Sequence, residues 1–326
     1  MKGLSGERSL WKESLQFCKK YTIIPILLCF IVIFSCGSRN FLRLENFANI
    51  INQNTIYGVA AVGMTFLIIN GHYDLSVGMV MCLSANLTIG LQRYGLPVAI
   101  GTALLMGLAV GLVNGLLVSK VGMNAFITTL STMYGVRGII YIYSNEESMR
   151  GIIPALEVYG NWNFLGVPLL TWTFLACTLA GAWVLRNTVH GRNTYASGGN
   201  SSAAANAGIN VSQTVLINFI ISGGSAALAG IMQAARLNSC SPTLGYPDFQ
   251  MMVIACVVLG GSKLQGGYGG IFRTVGGVIA IGILQNGLNM LGFQTYYKTL
   301  AVGLVLIGII ALDRIISFDK GHTLTG

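Results

Sequence analysis

The chain has 326 residues, of which 53% are hydrophobic and only 9% charged, and its formal net charge is +9. An ordinary soluble domain carries about 25% charged residues, so this composition excludes a water-soluble globule and calls for a bilayer around much of the surface. The basic residues sit at the ends of apolar runs rather than along one face, which excludes a nucleic-acid groove as the reason for the positive charge.

In chain order, residues 1–20 read as a cytoplasmic amino-terminal segment. Lys19 and Lys20 precede a first apolar run, Tyr21–Cys36, which has the look of a signal peptide or of a lipoprotein signal ending at Cys36. There is no A-x-A-like site, and the bulky Phe34 fits poorly before a lipid-modified cysteine, so an uncleaved first span is expected. Five further segments, Ala48–Asn70, Asp74–Leu91, Leu96–Val118, Asn124–Tyr143 and Leu169–Leu185, complete a first half over residues 21–185. A polar stretch, 186–210, is followed by a second half, 211–315, with segments Val211–Ala235, Gln250–Gly261, Gly270–Gly292 and Tyr296–Asp313, and by a cytoplasmic tail, 316–326. The fold class expected is an all-α polytopic membrane protein of about ten segments. A span needs about 20 residues, so Gln250–Gly261 is too short to cross alone. It reads as re-entrant or broken, which is tolerated where backbone is buried in protein or lines a cavity.

With the amino terminus inside, 12 of the 19 Lys and Arg fall on the inner side, 6 on the outer side, and Arg137 within a span. That bias predicts both termini in the cytoplasm. Seven cysteines, mostly in apolar runs and without CxxC spacing, read as small apolar residues, with no metal site or cofactor expected. Gly107, Gly111 and Gly115, four apart on one helix face, predict a close approach by a neighbouring helix. A broken-helix pattern near Gly71–Asp74 has a counterpart near Gly260–Gly267, and Asn114-Gly115-Leu116 echoes Asn286-Gly287-Leu288, a weak internal repeat.

Three stretches stand out from the apolar background. In Gly63–Gly78, GMTFLIINGHYDLSVG, polar residues interrupt two apolar helices, and Asp74 reads first as a helix N-cap and second as part of a hinge or path. In His190–Val211, HGRNTYASGGNSSAAANAGINV, Asn200 and Ser201 are placed to cap a short helix through Ala203, Ala204 and Ala205 that Gly208 ends. Flanked by Arg192 and Tyr195, that helix suits docking in another protein's groove. Val257–Gly270, VVLGGSKLQGGYGG, fails the P-loop pattern, which is absent from the whole chain, as are G-x-S-x-G and H-E-x-x-H. An enzyme is not expected, and no catalytic residue is named.

Together, Gly63–Gly78, Gly191–Ile209 and Val257–Gly292, with Asn124–Leu130, resemble the permease family of bacterial ABC importers for ribose, xylose and galactose, which includes permeases for autoinducer-2. The resemblance runs from about Phe47 to Asp313. It implies the type II importer permease fold in the bacterial cytoplasmic membrane, with two permease subunits, identical or different, around one path. It also implies a separate ATP-binding cassette subunit and an extracytoplasmic solute-binding protein. The residues matching the coupling loop, Gly191, Arg192, Tyr195, Gly198, Gly199, Asn200, Ala204 and Gly208, are then expected to meet the ATPase. Two departures are visible: Gly71-His72-Tyr73-Asp74 adds bulk at the helix break, and Gln250 and Met252 stand where the family tends to be acidic. Polar residues on apolar helices, Thr65, Asn70, Asn114, Gln250, Asn286 and Asn289, with Asp74, are the path candidates, each equally able to form an interhelical hydrogen bond. The expected function is uptake of a small solute, a monosaccharide by resemblance. The alternatives are a non-sugar solute such as autoinducer-2 and an ion-coupled secondary transporter.

Overall fold

The computed structural model describes residues 23–305, 307 and 308. The expected amino-terminal segment and tail, and the end of the tenth segment, lie outside the described residues. The described residues are mostly helical. In order, α1 is Ile23–Gly37, α2 Leu44–Ile69, α3 Val77–Gly90, α4 Leu96–Ser119, α5 Ala125–Ser144, α6 Pro154–Asn161 and α7 Leu169–Asn187. These are followed by α8 Val189–Gly199, α9 Ser201–Asn206, α10 Val211–Leu237, α11 Phe249–Leu259 and α12 Ile271–Met290, with a last helix, α13, over 295–305. Five of them, α4, α5, α7, α10 and α12, are long and apolar enough to cross a membrane, and α1, α3 and α11 are shorter apolar helices.

The bundle is organised around α2, in which nearly every residue from Asn54 to Ile69 is buried, including Ala60, Met64, Leu67 and Ile68. A helix enclosed on all sides needs apolar residues on all sides, and VAAVGMTFLII supplies them. It packs against α7, α10, α11 and α12. The outward faces of α1, α4, α5 and α7 expose Leu28, Val32, Leu105, Leu112, Ile142 and Trp183, side chains suited to acyl chains.

The tightest helix pair is α4 with α10, and the glycine stripe explains it. A Cβ at Gly111 would meet the carbonyl oxygen of Phe219 and lie 3.0 Å from Ile220 Cα; one at Gly107 would lie 2.6 Å from the Gly223 carbonyl oxygen; one at Gly115 would lie 2.8 Å from Leu216 Cδ1. Gly223 answers from α10, its own missing Cβ making room for the Gly107 carbonyl. With no side chains between them, the two backbones touch, which is how helices associate when lipid is as apolar as leucine.

Two helices are broken. The 11-residue α11 is the short element expected from the sequence. The Asp74–Leu91 segment is also shorter than its apolar run, because its helix, α3, starts only at Val77 and has 14 residues. At about 1.5 Å per residue neither crosses about 30 Å of hydrocarbon. Their amino-terminal ends meet inside the protein, where the Gln250 side chain lies against Gly78. The capping expectation for Asp74 holds in chemistry but not in position: the N-cap of α3 is Ser76, whose side chain makes no capping bond. Instead, Asp74 Oδ1 accepts from Ser76 N–H at 2.8 Å and Ser76 Oγ–H at 2.5 Å, closing a turn ahead of the helix.

Apolar periodicity also leaves out a small layer at one end of the bundle. There β1, Met149–Arg150, pairs antiparallel with β4, Ser239–Cys240, while β2, Asn163–Phe164, pairs with β3, Val167–Pro168, around the short α6.

Candidate functional site

The three motifs that stand out in the sequence come together in space. Gly267 N–H donates to the Ile69 carbonyl oxygen at 2.8 Å, joining the loop after α11 to the end of α2. Asn70 Nδ2 donates to Ser197 Oγ at 2.6 Å, joining that same end to α8. The Tyr195 hydroxyl donates to the Gly269 carbonyl oxygen at 3.0 Å, closing the triangle. Glycine is required where the backbones cross: Gly71, Gly266 and Gly267 have φ of +81°, +89° and +73°, and a Cβ on Gly267 would lie 2.8 Å from Gly199 Cα.

The polar stretch after α7 is more ordered than its composition suggests, since residues 189–199 form a full helix, α8, ahead of the capped one. Thr188 starts it by accepting from Gly191 N–H at 3.2 Å. His190 Nε2 pairs with Asn218 Oδ1 of α10 at 2.8 Å, and its ring stacks on Phe66 of α2. Burial holds the His190 imidazole below its ordinary pKa, with the Asn218 bond opposing, so Arg192 is the nearest fixed charge on this helix. The helix α9 is capped as its sequence predicts: Asn200 Oδ1 accepts from Ala203 N–H at 2.9 Å, and Gly208, at φ +84°, ends it.

The eight residues expected at the ATPase sort into two groups. Arg192, Gly199, Asn200 and Gly208 are exposed, while Gly191, Tyr195, Gly198 and Ala204 turn inward. Gly191 lies against the carbonyls at the end of α7, and Gly198 against the carbonyl of Ile69. The exposed members surround a short helix whose Ser201, Ser202, Ala203, Ala205 and Asn206 also face outward.

The path candidates occupy interhelical joints. Thr65 Oγ1 and Thr274 Oγ1 share a hydrogen bond at 2.7 Å between α2 and α12. Asn70 holds α8, as above. Asp74 and Asn114 belong to one buried chain: Thr132 Oγ1 donates to Asn114 Oδ1 at 2.7 Å, Asn114 Nδ2 to Ser76 Oγ at 3.0 Å, and Ser76 to Asp74. Ser222 Oγ reaches Asp74 Oδ2 at 3.4 Å, so the chain ties α4, α5 and α10 to the break before α3. Gln250 is buried with its Nε2 3.7 Å from Met133 Sδ and its Oε1 unpartnered. Asn286 Oδ1 accepts from Asn46 Nδ2 at 3.0 Å, and the exposed Asn289 accepts from Lys298 Nζ at 3.4 Å. Arg137 has partners after all, donating to the Tyr141 hydroxyl at 2.9 Å and lying 4.0 Å from the Tyr246 ring centroid.

Removing the carboxylate from the buried chain strands Ser76 and Ser222. Asp74→Ala is expected to destabilise the protein by about 2–4 kcal/mol, and Asp74→Asn, which keeps one acceptor oxygen, by about half that or less. Melting of the purified protein in detergent checks the ranking; equal melting temperatures for the two variants would contradict it.

A cavity of about 300 Å³ opens toward the other end of α2. Gln53, Asn54 and Tyr57 of α2, Gln233 and Arg236 of α10, Phe249 of α11 and Gln285 of α12 line it, and none of the seven path candidates does. Two of them adjoin lining residues in the chain, Gln250 beside Phe249 and Asn286 beside Gln285. The available signal was a polar pair one turn apart, Gln233 and Arg236, near the end of an otherwise apolar helix.

The family model described as branched-chain amino acid transport system / permease component matches residues 46–310. The chain is 37% identical over 318 residues to the ribose import permease protein RbsC of Escherichia coli K12, covering 95% of this chain and 98% of that protein. It is 38% identical over 294 residues to the RbsC of Bacillus subtilis 168, covering 88% and 90%. It is 37% identical over 307 residues to the D-allose transport system permease protein AlsC of E. coli K12, covering 92% and 93%. No solved structure matches the chain.

Proposed function

Because the chain belongs to the branched-chain amino acid transport system / permease component family, we propose that it is the transmembrane subunit of an ABC importer that carries a monosaccharide into the cell. The similarity to ribose and D-allose permeases over nine-tenths or so of the chain supports the substrate class. The observation that carries the mechanism is the junction of Ile69–Gly71, Tyr195–Gly199 and Gly266–Gly269. There, α8, which leads directly into the exposed capped helix α9, is seated by glycine contacts and hydrogen bonds on the end of the central buried helix.

A push on α8 and α9 by a separate ATPase subunit reaches α2 through backbone contacts that have no side-chain slack. In this reading residues 186–210 are the coupling loop at the cytoplasmic face, both termini are cytoplasmic, and about ten segments, two of them half-helices, divide into halves over 21–185 and 211–315. The ATPase meets Arg192, Gly199, Asn200 and Gly208, while Gly191, Tyr195, Gly198 and Ala204 seat the loop. Two permease subunits enclose the path, and an extracytoplasmic binding protein delivers solute at the face where α2 begins. The subunit itself performs no chemistry. The ion-coupled alternative has no observation in its favour among the described residues: Asp74 is engaged by serine hydroxyls and Arg137 by tyrosines.

The test is co-purification of the ATPase subunit with wild type, Arg192→Glu and Gly199→Pro. Wild type is expected to retain the ATPase and both folded variants to lose at least about tenfold of it, since reversing a charge at an interface costs several kcal/mol and a proline at the end of α8 distorts the helix at a cost of about 3 kcal/mol. An ATPase that never associates with wild type overturns the importer reading. Uptake of labelled D-ribose, D-allose and L-arabinose by the reconstituted complex tests the substrate class, and transport of none of them would point to a non-sugar solute.

A further inference from the structure

We propose that the Gln53–Arg236 cavity is a station inside the permease that binds one neutral sugar ring in transit; this rests on the importer reading above. The walls are chemically biased. Four carboxamides, from Gln53, Asn54, Gln233 and Gln285, converge with one guanidinium on a space closed on one side by Tyr57 stacked on Phe249, ring centroids 5.0 Å apart. Carboxamides both donate and accept, as vicinal hydroxyls do, whereas a carboxylate or phosphate would leave their acceptor oxygens facing an acceptor.

The groups are also held open. Among the described residues the half-buried Gln233 side chain and the exposed Gln53 side chain have no hydrogen-bond partner, and Arg236 has only the Gln53 carbonyl oxygen at 3.4 Å. No carboxylate among the described residues forms an ion pair with Arg236. A half-buried guanidinium with most of its five donors unspent is costly unless a ligand or water engages it. Gln233 and Arg236, three residues apart on α10, present their heads on one face. The volume lies at the small end of the range of about 300–1,000 Å³ for ligand sites, room for one ring and not for an oligosaccharide. Gly245, at φ +74°, lines the cavity where a Cβ would run into Met81 and Phe249.

The experiment is uptake of the three labelled sugars named above by the complete importer, permease with ATPase subunit and binding protein, reconstituted with Arg236→Gln, Arg236→Lys, Gln233→Ala or Tyr57→Leu. Retention of the ATPase subunit shows that each variant is assembled, and Gln233→Ala, which removes an unbonded half-buried side chain, keeps the test open if an Arg236 variant does not fold. Arg236→Gln is expected to lower uptake of the carried sugar about tenfold or more, and Arg236→Lys to recover part of it. The preference for that sugar over a deoxy analogue should shrink in Arg236→Gln and Gln233→Ala, an effect that a purely structural role would not produce. Uptake within about twofold of wild type in all four variants, with selectivity unchanged, overturns the station while leaving the importer reading intact. If wild type itself captures no ATPase and moves no sugar, both readings fall together.

Discussion

Gly198→Ala should cut transport about 10–100-fold while Gly199→Ala leaves it near wild type, although the two residues are neighbours in one motif. Both glycines lie at the end of α8, in backbone conformations that alanine can adopt. What differs is the space beside them. A methyl group on Gly198 would run into the carbonyl oxygen of Ile69 and lie 2.9 Å from Asn70 Cα, so α8 must lift away from α2. A methyl group on Gly199 would meet only Gly267 Cα, at 4.0 Å, an ordinary contact. Forcing a methyl group into a closed backbone junction costs about 1–3 kcal/mol, and each 1.4 kcal/mol is about tenfold in the fraction of correctly seated loops. Lifting α8 also stretches the Asn70–Ser197 and Tyr195–Gly269 hydrogen bonds, two of the ties between α8 and the bundle. Uptake and ATPase rate measured side by side check this, with hydrolysis expected to persist better than transport in Gly198→Ala. Equal loss in the two variants would mean that the junction does not transmit the movement.

Gly111→Leu should prevent the protein from folding, whereas Gly101→Leu on the same helix should be tolerated. At Gly111 the added carbon atoms meet the backbone of Phe219 and Ile220, which cannot rotate out of the way, and the cost exceeds about 3 kcal/mol. That is a large share of the stability of a typical domain, about 5–15 kcal/mol. At Gly101 a Cβ meets nothing within 4 Å. Monodispersity and melting in detergent read the difference directly. A Gly111→Leu protein as stable as wild type would show that α4 and α10 do not meet along this seam.

Much was legible from residues alone, because some features are local. Asn200 and Gly208 cap and end a short helix through their own backbone bonds, so α9 could be placed without tertiary information. The glycine spacing 107, 111, 115 announces a close helix contact, because no other pattern leaves a groove down one face. The failures are equally physical. Asp74 accepts from a free backbone amide ahead of the helix, as a cap does, but the N-cap position itself falls on Ser76, and the bond from Ser222, 148 residues away, has no local signal. Helix α8 was hidden because its glycines and asparagine disfavour a helix, and contacts with α2, α7 and α10 stabilise it from outside.

Residue order alone shows the medium and the punctuation: a bilayer protein, from its scarcity of charge, with breaks, caps and a glycine groove at stated positions, and a family to which the order of its motifs points. Which faces meet is visible only in the folded bundle. In a soluble protein the helix face toward the core is apolar and the other polar, so periodicity reveals orientation. In a bilayer lipid and core are both apolar, and that signal is lost. One residue along a helix is a rotation of about 100°, and this is why Gln285 faces the cavity while Asn286 bonds to Asn46, and why Phe249 lines the wall while Gln250 is buried behind it.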